Sequence, residues 1–218
     1  MGLSMLSSCG TFSGMQTGRT VEKNAVELGL SYYRPKGIFN ALALKLDKEN
    51  HIPRLGYLQF NAKYGITDHL DAGLNLSTYG LIGLEAKYQL LGDQESLFAL
   101  SAGGSLNTFL FYYYEFQIPV YASVHPLPDL AIYVSPKYAG QFLSLLGLSS
   151  VTYNGYTGLS GGIMYGDRVK VGLDGTFMHP TRRVLGHTVF PDFYNIGIGV
   201  KWTINGGKEK DEWRGTRF

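Results

Sequence analysis

From Asn24 onward, apolar side chains return at every second position in one short segment after another. Leu58, Phe60, Ala62 and Tyr64 alternate with Tyr57, Gln59, Asn61 and Lys63. Leu84, Ala86, Tyr88 and Leu90 alternate with Glu85, Lys87 and Gln89, and Ile196, Ile198, Val200 and Trp202 with Asn195, Gly197, Gly199 and Lys201. A period of two is the spacing of a strand with one apolar and one polar face. About ten such segments account for most of the chain, each near the length of ~10 residues that lets a tilted strand cross a bilayer. The connections alternate in length. Tight turns carry Thr67-Asp68-His69, Gly92-Asp93-Gln94-Glu95, His125-Pro126-Leu127-Pro128-Asp129 and Gly166-Asp167-Arg168, after the second, fourth, sixth and eighth segments. The longest connections, roughly 35–53, 139–153 and 179–193, fall between them. The pattern predicts an all-β chain: an antiparallel up-and-down barrel of about ten strands with an even strand count.

Composition narrows this further. The 29 Gly and 16 Tyr suit a closed sheet that bends tightly and meets polar–apolar boundaries. A formal charge of +2, spread without a stripe, gives no footing for nucleic acid. Two charge-free stretches, 96–114 and 139–166, are interrupted by Gly103, Gly104, Asn107, Asn154, Gly155, Gly161 and Gly162, which argues against spanning helices. No linker divides the chain, so it splits into a leader (1–23), a barrel (24–204) and a charged tail (205–218).

Alternation alone fits two barrels: a soluble one, apolar row inward, or a transmembrane one, apolar row outward. The regular turn rhythm favours the second. So do the tyrosines near segment ends, among them Tyr32, Tyr33, Tyr64, Tyr88, Tyr112, Tyr113, Tyr114, Tyr138 and Tyr165, with Trp202, which suit interfacial girdles. Short turns then lie on the periplasmic side, longer loops outside, and both ends of the chain in the periplasm. The inward row holds Glu27, Asp71, Glu85, Glu115 and Asp174 with Lys63, Lys87, Lys137, Lys170 and Lys201. Five acids and five bases in a narrow lumen predict ion pairs and hydrogen bonds across it, because an isolated charge there is costly.

Near the end, Asn195-Ile196-Gly197-Ile198-Gly199-Val200-Lys201-Trp202 resembles the β-signal of bacterial outer-membrane β-barrel proteins, with Asn195, Gly197, Val200 and Trp202 in its slots. Tyr64-Gly65-Ile66-Thr67-Asp68-His69-Leu70-Asp71-Ala72-Gly73-Leu74 is similar to the strand–turn–strand phrase of the same barrels. The resemblance covers about 24–204 and picks out no subfamily. It implies the outer membrane of a Gram-negative bacterium, with its lipid and the barrel assembly machinery as partners. One departure is the charged tail, where the family usually ends on an aromatic. Leu6-Ser7-Ser8-Cys9-Gly10 resembles a lipoprotein lipobox, making Cys9 a candidate lipid anchor. Residues 1–8 are shorter than a secretory signal requires, so the resemblance needs a start further upstream; otherwise Cys9 is a free cysteine in the leader.

Catalytic chemistry finds little support in the residues. Asp68-His69 has the letters of an outer-membrane protease but sits in a tight turn, and His187 with Asp192 lacks a second acidic pair. Ser123 and His125 share a face merely because they are two apart, and His179 is a further rim histidine. The five histidines have no metal-ligand spacing, and Gly158-Leu159-Ser160-Gly161-Gly162 opens no helix. No catalytic residue, metal or cofactor is therefore expected. Apolar residues in 35–53 and 140–150 hint at a partner or an apolar ligand. The expected function is a non-enzymatic, porin-like barrel with a filled lumen, a structural or accessory subunit of a larger outer-membrane complex. A narrow channel or transporter for ions or small solutes is the first alternative, and a barrel protease or lipid deacylase the second.

Overall fold

A computed structural model describes residues 15–36, 56–78, 80–109, 113–144, 151–181, 183–184, 187–188 and 192–204. The strands are β1 (Val26–Lys36), β2 (Tyr57–Gly65), β3 (Leu70–Ser77), β4 (Ile82–Leu91) and β5 (Phe98–Phe109). They continue with β6 (Tyr113–Leu127), β7 (Leu130–Ser144), β8 (Val151–Tyr165) and β9 (Val169–Pro180). Two short strands, β10 (Arg183–Val184) and β11 (His187–Thr188), pair only with each other before β12 (Phe193–Ile204). β1 to β9 and β12 form a closed antiparallel barrel in which each strand pairs with its sequence neighbours and β1 closes on β12. No helix among the described residues is long and apolar enough to span a membrane, which says nothing about strands.

The barrel is inside-out relative to a soluble protein. Leu30, Phe60, Leu74, Leu106, Ile118, Leu173 and Ile198 face outward and are exposed, whereas Glu27, Lys63, Asp71, Lys87, Glu115, Lys137, Asp174 and Lys201 are buried. An apolar belt without protein cover needs lipid, since water would not leave so large a contiguous patch on a stable monomer. Ile198 stands at mid-height of β12 and is 51% exposed. Ile198→Lys is expected to cost about 2–4 kcal/mol in vesicles, as for a cation at the bilayer midplane. Urea unfolding of the vesicle-inserted protein measures it, and a change near zero would mean that Ile198 does not meet hydrocarbon.

Parity corrects two of the girdle residues. Tyr32, Tyr64, Tyr88, Tyr114, Tyr165 and Trp202 do face outward, but Tyr33 and Tyr113 fall on the inward row and are almost fully buried in the lumen. Tyr33 stacks on Tyr57 at 5.4 Å, and its ring lies against Gly197. A Cβ at Gly197 would overlap that ring, so this glycine has a packing reason within the fold. Gly197→Val is expected to cost about 1–3 kcal/mol by overpacking, and Tyr33→Ala in the same chain should recover part of it. Additive losses would mean that the two do not pack together.

The short connections behave as turns. In the one after β4, the Asp93 carboxylate accepts from the backbone N–H of Glu95 (2.9 Å) and Ser96 (2.7 Å) and from the Ser96 hydroxyl (2.7 Å). The Ser96 hydroxyl, followed by the two amides, holds this exposed carboxyl below its ordinary pKa. On the opposite end, part of the apolar 140–150 segment is strand: β7 runs to Ser144 and β8 starts at Val151, so Phe142 belongs to the outward aromatic face beside Tyr153. Cys9, the loop core 37–55, Tyr112 and the tail 205–218 lie outside the described residues.

Candidate functional site

The lumen is filled by the chain's own N-terminal segment. Residues 15–24, which the sequence reading assigned mostly to a leader outside the barrel, instead lie within its wall. Asn24, at φ 63°, makes the corner into β1, donating its N–H to Gly65 O (2.8 Å). Asparagine tolerates that left-handed conformation better than most residues. From this corner, traced backwards, the chain passes into the lumen at the end carrying the short turns. It reaches Met15, whose sulfur lies 3.9 Å from the Ser31 hydroxyl, well inside the wall.

An extended segment inside a barrel has no neighbouring strand edge, so its backbone must be satisfied by side chains. The inward row supplies them. The Gly18 N–H donates to Ser123 Oγ (2.9 Å), that of Thr20 to Gln89 Oε1 (2.8 Å) and that of Val21 to Asp71 Oδ2 (3.0 Å). Lys87 Nζ donates to Arg19 O (2.6 Å) and Thr17 O (3.3 Å), and Gln94 Nε2 to Thr20 O (2.9 Å). Ser101 Oγ donates to Gly18 O. Gly18 is also as small as the seat allows: a Cβ there would run into the Ala99 carbonyl. Gly18→Val is expected to unseat the segment, read as new protease cleavage within residues 15–24 in a barrel that still folds. Unchanged protection would mean that the seat has room for a side chain.

The ten luminal charges keep the inward placement that the sequence implies, and the structure sorts them into distinct arrangements. Lys63 pairs with Glu85 (2.9 Å), Lys87 with Asp71 (3.4 Å) and Lys201 with Glu27 (2.7 Å). Gln16 Nε2, from the plugging segment, donates to the other Glu85 oxygen (2.9 Å). Glu115 meets neutral donors on both oxygens: Tyr113 Oη (2.8 Å) and Gln141 Nε2 (3.1 Å) on one, Gln117 Nε2 (2.7 Å) and Asn107 Nδ2 (3.2 Å) on the other. Asp174 accepts from Tyr133 Oη (2.8 Å). Lys137 is buried in the same half of the lumen. Lys170 is only half-buried and makes no hydrogen bond or ion pair among the described residues.

Of the assembly-signal positions, Asn195 points inward and donates to Tyr57 Oη (2.9 Å), while Val200 and Trp202 face outward. The histidines are scattered. His69 is in the β2–β3 turn beside Tyr88, His125 shares a 2.9 Å hydrogen bond with Ser123, and His179 Nδ1 lies 2.6 Å from Asp192 on the outward face. No group of three or more metal-ligating side chains forms among the described residues.

Among the described residues, space remains beside the plugging segment. A small cavity of about 30 Å³ lies between Met15, Gln16 and Tyr121, and one of about 330 Å³ opens at the turn end. What the sequence reading missed is the plug itself. Its only trace is a run of small and polar residues, Thr17, Gly18 and Thr20, beside Met15 and Val21.

A closed antiparallel barrel of ten strands, apolar outside and filled with polar side chains inside, has the architecture of the small outer-membrane β-barrels. No protein-family model matches the sequence, and no curated protein matches it. Among solved structures it is similar to the NanC porin, with 10% identity over 80% of this chain and 98% of that one, at a TM-score of 0.49. It is also similar to Ail, the attachment invasion locus protein of Yersinia pestis, with 8% identity over 84% and 99% of the two chains, at 0.34. A third is LpxR from Salmonella typhimurium, with 8% identity over 81% and 99%, at 0.38.

Proposed function

We propose that this chain is a non-enzymatic barrel of the bacterial outer membrane, held shut by its own N-terminal segment and serving as a structural or accessory subunit of a larger membrane assembly. The observation that carries the reading is the seat of residues 15–24: their backbone groups are bound by side chains of β3, β4, β5 and β6, so the wall is built to hold a segment rather than to pass solute. The opposite half of the lumen is packed too, with Tyr33, Tyr57, Tyr113, Tyr156, Met178 and Phe193 fully buried. In this reading the short turns and both ends of the chain face the periplasm.

Single-channel recording in a planar bilayer tests it, with Lys87→Ala alongside. The wild type is expected to be electrically silent. Steady conductance altered by Lys87→Ala would overturn the closed reading in favour of a narrow polar conduit. The space beside the plug is the observation that favours that second reading. For the accessory role, co-purification with a larger membrane partner under mild detergent is expected, and a clean monomer would count against it.

A further inference from the structure

The plug is bound to one side of the lumen. Most of its hydrogen-bond partners come from β3 to β6 and the turn after β4, among them Asp71, Lys87, Gln89, Ser96, Ser101 and Ser123, with the Asp68 carbonyl and the Ser31 hydroxyl of β1 besides. Beside it a cavity of about 330 Å³, with the plug as one wall, is lined by residues of β1, β7, β8, β9 and β12 and reaches Lys87, Gln94 and His125. That volume is at the lower end of ordinary ligand clefts, roughly 300–1,000 Å³.

Basic side chains predominate among the buried and half-buried charges that line this cavity. Lys170 of β9 and Lys201 of β12 stand directly opposite each other in the register, on the same inward row. Like charges in that position repel and weaken a sheet. One carboxylate, Glu27, serves the pair, and Lys201 takes it at 2.7 Å. Lys170 has no hydrogen bond or ion pair among the described residues. Arg19 enters from the plug side; its Nη2 donates to Ser96 O (2.6 Å), but its Nε is buried without a partner. His125 lines the same space. The remaining carboxylates on the lining, Glu22, Asp129 and Asp167, are exposed at the mouth, as is Arg168. Three cations of the lining, Lys170, Lys201 and Arg19, thus share the one buried carboxylate Glu27, with Asp93 near Arg19 exposed outside the cavity lining.

We propose that this cavity is a binding site for a small oxyanion, a phosphate or a carboxylate, held by Lys170 with Arg19 and Lys201 on either side. The proposal goes beyond the closed-barrel reading: a ligand seated beside the plug requires neither an open nor a blocked lumen. It also gives the lysine pair a reason, since an anion between them turns a repulsion into a bridge.

Thermal unfolding of the refolded protein in detergent, at constant ionic strength, tests it with inorganic phosphate, glucuronate and glucose as probes. Phosphate or glucuronate is expected to raise the midpoint saturably, and glucose to leave it unchanged. A response to phosphate alone assigns a phosphoryl group, to glucuronate alone a carboxylate, and to both the shared oxyanion chemistry. Lys170→Met is expected to weaken the response at least tenfold while leaving the unliganded barrel as stable as the wild type or more so, because a like-charge neighbour is gone. Lys23→Met, on an exposed residue beside the corner, should change neither. Arg19→Met gives the same loss by a second route if Lys170→Met does not refold. The proposal fails if no probe responds, if chloride matches the anions, or if the response survives in Lys170→Met and Arg19→Met.

Discussion

Lys87→Ala is expected to destabilise the barrel by about 3–5 kcal/mol, the range for removing one partner of a buried ion pair. The side chain is 5% exposed and its ammonium holds three oxygens at once: Asp71 opposite it on the neighbouring strand, and the Thr17 and Arg19 carbonyls of the plug. Alanine strands all three. Asp71 keeps the Val21 N–H and the more distant charge of Lys63, which do not replace a direct ion pair for a carboxylate with no exposed surface. Urea unfolding followed by heat-modifiable gel migration gives the number, and protease cleavage within residues 15–24 reports whether the plug has left its seat. The pair can be separated from the charge: Lys87→Met with Asp71→Asn should recover part of the loss, because a neutral pair of similar shape replaces an ionic one at little cost. A loss below about 1 kcal/mol would put Lys87 among ordinary surface-type pairs and leave the plug held by its other contacts.

Glu115→Ala should be of similar size, roughly 3–5 kcal/mol, for a different reason. Here a carboxylate gathers four neutral donors, two on each oxygen. Each donor left buried and unmet costs about 1–3 kcal/mol, and neighbours in one network do not add fully. Glu115→Gln is the sharper variant. Its amide can face two donors with oxygen but must turn an NH₂ toward the other two, so it should fall between wild type and alanine. Equality of Gln with wild type would mean that the second pair of donors relaxes elsewhere. The same unfolding experiment reads both variants.

The strands were legible because each obeys one rule over its whole length. Glu85, Lys87 and Gln89 could be assigned inward from their parity with Leu84, Ala86, Tyr88 and Leu90, and the short turns marked the common end. The same rule, used on composition alone, misassigned Tyr33 and Tyr113: aromatics near strand ends look like girdle residues until their parity is counted. The extent of β7 and β8 was obscured by apolar residues at 142–148, where a run of leucines reads as a loop core. The plug was illegible for a deeper reason. Its partners are 48 to 105 residues away in sequence for the bonds of Gly18, Thr20 and Val21, and most are side chains rather than a strand edge. No period marks a segment whose neighbours lie on several strands at once. Likewise, the ten luminal charges could be counted from sequence, but not that Glu115 would be met by amides and a phenol while Lys170 would be left facing a lysine.

The corner at Asn24 has a bearing on how such a protein is made. β1 is the strand that meets β12 to close the cylinder, and the plug is joined to it through Asn24 and Ala25 alone. Closing the seam and seating the plug therefore involve one continuous stretch of chain: β1 cannot pair with β12 without bringing residues 15–24 to the mouth of the cylinder.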